Sequence, residues 1–263
     1  MQGVKAPLIR IAGVSKHYRS RGSRVTALAQ VDLDIARGEF VSIVGPSGCG
    51  KSTLLYILGG FLRADEGAIE IRGRGIEGPG IDRGVVFQEY ALFPWLTVEQ
   101  NIAYGLVNAG MERRQRDETV RHYVSLIGLQ GFEQRYPREL SGGMRQRVAI
   151  ARTLACEPDI LLLDEPLGAL DALTRETMQD ELLRLWQGTG KTVLMVTHDV
   201  NEAVFLSQRV VVMSKRPGRI VDNFAIDLDR SRPREELMVS DAYNEMRNRV
   251  WLAVRREAMA AAA

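Results

Sequence analysis

The eight residues Gly45-Pro46-Ser47-Gly48-Cys49-Gly50-Lys51-Ser52 satisfy the pattern G-x-x-x-x-G-K-[ST]. The apolar run FVSIV precedes them, and a helical run, KSTLLYILGG, opens at Lys51. A strand that turns through glycines into a helix commits this part of the chain to an α/β architecture. Glycines let backbone N–H groups turn inward where a Cβ would obstruct them, and the helix start adds partial positive charge. The element is suited to wrapping phosphates with the backbone of residues 45–50, with Thr53 just behind. Lys51 is expected to reach the terminal phosphates and the Ser52 hydroxyl to ligate Mg²⁺.

The rest of the chain supplies the matching core. LIRIAGV and VDLDI alternate as half-buried strands do, and ARGE turns the chain into FVSIV. GAIEIRG (67–73) and GVVFQ (84–88) read as further strands. DILLLD, TVLMVTH and RVVVMS are near-continuous apolar strands separated by helical runs, which implies a parallel sheet covered on both faces. The predicted arrangement is an α/β core over residues 8–230, with an antiparallel β part at its N-terminal side. Residues 97–155, which lack strong strands, are expected to form an inserted α-helical subdomain. Residues 231–263 read as a polar helical tail.

The bulk properties exclude several classes. A net charge of +2 argues against nucleic acid as the main partner. Two distant cysteines, Cys49 and Cys156, make neither a disulfide framework nor a zinc cluster, and fit a reducing compartment. No run approaches the ~20 apolar residues of a membrane span, and Arg10 interrupts the only candidate for a signal peptide. Any membrane role is therefore expected to be peripheral, through partner proteins.

Leu161-Leu162-Leu163-Asp164-Glu165 ends an apolar strand in two carboxylates. That puts acid groups at the carboxyl edge of the sheet, where the phosphate loop is also expected. Asp164 would hold Mg²⁺, and Glu165 would orient and polarise an attacking water. His198 closes TVLMVTH, where it could hydrogen-bond a terminal phosphate or serve as an ordinary structural histidine. Gln88, at the end of GVVFQ, could face a metal or water, or simply solvent.

Leu140-Ser141-Gly142-Gly143-Met144-Arg145-Gln146-Arg147 offers a hydroxyl and glycine N–H groups at the start of a helix whose dipole favours an anion. Alone, SGG is also a helix-capping turn. In this order, over roughly residues 8–225, the elements resemble the nucleotide-binding subunits of ABC transporters, and 140–147 matches their signature. The resemblance implies hydrolysis of ATP with Mg²⁺ in a homodimer, each nucleotide held by one copy's phosphate loop and the other copy's signature residues Ser141, Gly142, Gly143 and Met144. It implies Tyr18 as the aromatic stacked on adenine, although His17 or Tyr18 could instead be strand surface. It also implies Gln88 and His198 as the glutamine-loop and switch-histidine positions, and Asp171, in Gly168-Ala169-Leu170-Asp171, as a residue communicating across the dimer. Met144 departs from the glutamine usual in the family. Cys49 reads as a small residue within the loop.

Relatives outside transport usually carry tandem ATPase domains or long coiled coils, and this chain has neither. EYALFPWLTVEQNIAYGL (89–106) resembles the surface on which importer ATPases dock a permease, although Phe93, Pro94 and Trp95 could also be core. IEGPGIDRGVVFQ and the run 164–207 are similar to the taurine, aliphatic-sulfonate and nitrate importer group, the GPG-x-x-RGVVFQ element most of all to taurine importers. The expectation is an ATPase on the cytoplasmic face of the inner membrane, bound to permease subunits and indirectly served by a periplasmic binding protein. Its expected cargo is a small anion, taurine first; the alternatives are an importer ATPase for aliphatic sulfonates or nitrate, or a soluble ABC ATPase acting outside transport.

Overall fold

The computed structural model describes residues 6–20 and 23–259. Residues 1–5, at the start of the segment read for a signal peptide, and residues 260–263 of the expected tail lie outside them. The chain divides into two compact units, Met1–Gly80 with Leu185–Ala263, and Ile81–Arg184.

In the first unit, β1 (Ile9–Ser20) and β2 (Ser23–Ile35) form a long antiparallel pair. β4 (Glu66–Ile71) joins the free edge of β1, and β5 (Arg74–Gly75) follows it, giving the order β2-β1-β4-β5. Both long strands run further than the sequence alternation alone indicates. β3 (Phe40–Val44), β8 (Thr192–Val196) and β9 (Arg209–Met213) are parallel neighbours in the order β9-β3-β8. Every residue of β3 and β8 is buried, as continuous apolar runs require of a sheet covered on both faces. β10 (Ile220–Ala225) pairs antiparallel with β9 at the edge, where alternate residues stay exposed.

The two sheets of this unit are joined by charge. Arg209 bonds both Glu39 carboxylate oxygens (2.6 and 2.9 Å) and the Asp34 carbonyl (2.6 Å). Trp186 donates its indole N–H to the Gly38 carbonyl (3.0 Å) and meets Phe40 edge to face. α1 (Lys51–Leu58) follows β3, and α6 (Val200–Leu206) follows β8. The C-terminal segment forms α7 (Arg234–Val239) and α8 (Asp241–Met259). α8 is amphipathic; it buries Tyr243, Val250 and Ala253, and packs on α6 and β9.

In the second unit, β6 (Arg83–Val86) pairs in parallel with β7 (Ile160–Asp164). Between them lie α2 (Val98–Asn108), α3 (Arg113–Leu126), a short 3-10 turn and α4 (Gly142–Ala155). Thr97 starts α2 through a capping box with Gln100, the local rule that stops the preceding loop. α5 (Ala172–Thr189) carries the chain onward from this unit.

Candidate functional site

The phosphate-loop pattern occupies the turn between β3 and α1. Gly50 caps α1 in the left-handed region (φ 106°), and a Cβ there would stand 2.7 Å from Leu28 Cδ2 and 2.9 Å from the Ala27 carbonyl. Only glycine fits. As a glycine cap, it also leaves the first-turn N–H groups without a side-chain partner of its own, which suits an anion. Lys51 is 6 % exposed, and its ammonium donates to the Gly45 (2.8 Å) and Pro46 (3.0 Å) carbonyls within the loop. Cys49 is fully buried beneath; burial pushes its thiol up against the opposing pull of Lys51, so it stays a thiol. Ser47 and Gly48 are exposed, while Ser52 and Thr53 are half-buried.

Tyr18 lies on β1, 39 % exposed, with its hydroxyl 3.4 Å from Thr53 Oγ1 and Lys16 Nζ 5.9 Å from the ring centre. A largely open aromatic face beside the phosphate loop suits a heterocycle. His198 stands two residues beyond β8 rather than on it. Thr197 still donates its N–H to Ile43 (3.2 Å), but its hydroxyl turns to Glu202 and Asp199 caps α6, so the backbone leaves the ladder there. The His198 side chain is exposed.

In the second unit, Asp164 is fully buried at the end of β7. Glu165 follows in a left-handed conformation (φ 48°), costing on the order of 1–3 kcal/mol for a residue with a Cβ. Its carboxylate accepts a bond from Gln88 Nε2 at 3.3 Å. Gln88, two residues past β6, is exposed. A carboxylate held by a neutral amide, at a strained backbone position beside a buried aspartate, is equipped to orient a water.

The signature begins α4. Ser141 is its exposed N-cap, accepting the Met144 N–H at 3.2 Å, so Gly142 and Gly143 are the first residues of the helix rather than a turn before it. A Cβ on Gly142 would lie 3.1 Å from the Tyr90 hydroxyl, and the Arg145 guanidinium covers the Tyr90 ring at 5.3 Å. Asp171 caps α5 through the Thr174 N–H (3.0 Å). That bond, the Thr174 side chain and the field of Arg147 hold its carboxyl below the usual range. Arg145 belongs to the 140–147 match and Tyr90 to the 89–106 segment, but sequence reasoning missed their contact.

Residues 89–97 are ordered from inside. Asn101, fully buried, accepts the Phe93 N–H (2.9 Å) and donates to the carbonyls of Phe93, Leu96 and Thr97. Arg152 bonds the Ala91 carbonyl (2.8 Å) and covers the Phe93 ring. Phe93 is thus half-buried, whereas Pro94 is exposed and Trp95 is 69 % exposed. A groove of about 1060 Å³ runs between α2 and α3, lined by Leu96, Tyr104, Val107, Val120 and Val124 among others.

Residues 28–168 match the model of the ABC transporter family. The chain is 49 % identical to the nitrate import ATP-binding protein NrtD of Synechocystis, over 84 % of this chain and 83 % of the relative. It is 47 % identical to the taurine import ATP-binding protein TauB of Roseobacter denitrificans, over 90 % of this chain and 86 % of the relative. The dimeric, post-hydrolysis structure of the ATP-binding cassette MJ0796 bound to ADP and Pi superposes with a TM-score of 0.77 at 35 % identity, covering 83 % of this chain and 99 % of that one. The chain has the ABC ATPase fold and belongs to the ABC transporter family.

Proposed function

We propose that this chain is the ATP-hydrolysing subunit of an ABC importer of the nitrate and taurine type, with taurine as its cargo. The observation that carries hydrolysis is the arrangement around Glu165: an intact carboxylate after a buried Asp164, bonded to Gln88. The loop glycines and N–H groups of residues 45–50 with Thr53 bind the phosphates, Lys51 neutralises them, and Tyr18 stacks on adenine. The hydroxyl, carboxylate and amide of Ser52, Asp164 and Gln88 suit Mg²⁺, a hard ion that takes few protein ligands and shares phosphate oxygens. No group of three or more His, Cys, Asp or Glu that could cage a metal occurs among the described residues. When bound, Mg²⁺ counters the charge developing on the transferring phosphoryl oxygens. Glu165 orients the water and His198 bonds the γ-phosphate.

Two copies are proposed to close on two ATP, with Ser141, Gly142, Gly143 and Met144 reaching the other copy's nucleotide and Asp171 relaying its state. The exposed Trp95 and the α2–α3 groove suit a permease helix, in support of docking near 89–106 on the cytoplasmic face of the membrane. A binding protein outside would set cargo identity. Among the described residues no helix is long and apolar enough to cross a membrane. The taurine reading rests on similarity to relatives bearing that name and on the 76–88 element, and nitrate relatives score alike.

Glu165→Gln keeps the shape and removes the charge. It is expected to bind ATP as the wild type does and to lose turnover by about 10²-fold or more, accumulating as an ATP-bound dimer. Wild-type hydrolysis in this variant would refute the role. Loss of growth on taurine as sulphur source, but not on nitrate as nitrogen source, after deletion tests the cargo.

A further inference from the structure

Residues 197–199 join β8 to α6 and carry His198. Thr197, 2 % exposed, donates its hydroxyl to Glu202, itself 4 % exposed on the first turn of α6. The Asp199 N–H returns to the same Thr197 oxygen (3.1 Å), and the Asp199 carboxylate accepts the N–H groups of Asn201 (2.8 Å) and Glu202 (3.2 Å). From α8, the hydroxyl of Tyr243, 1 % exposed, reaches the Asn201 carbonyl (3.2 Å). At the far end of α6, Arg230 bonds the carbonyls of Phe205 (3.0 Å), Val204 (3.4 Å) and Ser207.

α6 has 7 residues, too few to hold a helix by itself, so its place is set by these tertiary bonds. The bonds at its N-terminal end all meet within two residues of Asn201, next to the histidine segment. Buried hydroxyl and carboxylate groups in such a network admit few alternative arrangements, because any other leaves a desolvated polar group unpaired.

We propose that Thr197, Glu202 and Tyr243 are positioning residues for His198, and that α8, outside the 28–168 span of the family match, braces the segment that carries it. The inference rests on the assignment of His198 to the γ-phosphate. Displacing a group by about an ångström can cost catalysis on the order of 10²-fold while ground-state binding survives. The Thr197 hydroxyl and Tyr243 are therefore expected to act on kcat rather than on nucleotide affinity.

The test compares Thr197→Val, Thr197→Ser and Tyr243→Phe for kcat, KM for ATP, affinity for a fluorescent ATP analogue, and amide hydrogen exchange over 197–203. Thr197→Val is expected to lower kcat about tenfold with affinity within about twofold, and Thr197→Ser to restore it. Tyr243→Phe removes a single hydroxyl and keeps the ring, so it decides the matter even if Thr197→Val does not fold. It is expected to lower kcat about threefold and to speed exchange over 197–203. Wild-type kcat in Tyr243→Phe, an equal loss in Thr197→Ser and Thr197→Val, or a rise in KM at unchanged kcat would overturn the proposal. A wild-type chain that turns over no ATP would instead overturn the functional reading, which the wild-type control separates from these outcomes.

Discussion

Single atoms decide most at the phosphate loop and the signature. Gly50→Ala would place a Cβ at φ 106° against Leu28 and the Ala27 carbonyl, so the β3–α1 turn must shift. The expected result is loss of ATP binding measured by titration, with a stability loss of about 1–3 kcal/mol in urea unfolding. Met144 gives the opposite expectation. Its polar contribution here is its backbone N–H on Ser141, which any side chain but proline preserves. Met144→Gln should therefore leave turnover within about threefold of wild type, whereas Ser141→Ala should lower it further by losing both the cap and the hydroxyl. Turnover assays on the two variants compare them directly. The departure from the family pattern at Met144 was visible in the sequence; that its N–H serves the Ser141 cap needed the helix start to be placed at Gly142.

At the scale of elements, the segment 89–97 depends on one side chain of α2. Asn101 satisfies four backbone groups, and no smaller residue can replace it. Asn101→Ala is expected to cost about 1–3 kcal/mol, because buried carbonyls and an N–H lose their partner. It should reduce permease co-purification while ATP affinity holds; unchanged co-purification would separate the segment from docking. The elements themselves were legible where one strand's own residues determine its burial. The runs 40–44, 160–164 and 192–196 are apolar apart from Ser42, Asp164 and Thr192, and each is a buried strand. The edge strand β10 was not, since its alternation of half-buried and exposed residues competes with ordinary loop sequence. The core motifs Lys51, Asp164 and Glu165 could be read because strand, turn and helix are adjacent in the chain. The Thr197–Glu202–Tyr243 network could not, because Tyr243 joins it from a distant helix and tyrosine there looks like any amphipathic core residue.

Across the whole molecule, each compact unit buries one tyrosine hydroxyl whose proton is hard to remove. Burial pushes Tyr123 and Tyr243 from 10.0 up to about 12, with Glu157 and Cys156 adding to the rise at Tyr123. Tyr123 donates to the Leu154 carbonyl and Tyr243 to that of Asn201, so only the protonated form keeps each bond. In the unfolded chain these groups ionise near pH 10, while the folded chain keeps both protons until about pH 12. Above pH 10 the unfolded state thus binds fewer protons than the folded one, and stability falls as pH rises through this window. The contribution is complete below pH 10 and gone above about pH 12. Urea midpoints measured across that interval should decline, and Tyr123→Phe and Tyr243→Phe should each flatten the decline. Each variant should also begin lower at neutral pH by about 1 kcal/mol for its lost hydrogen bond. A decline unchanged in both variants would mean that other groups carry the alkaline sensitivity. Flattening in Tyr243→Phe alone would assign it to the unit that holds the phosphate loop and the histidine segment, so that alkaline loss of fold and loss of ATP turnover should then coincide.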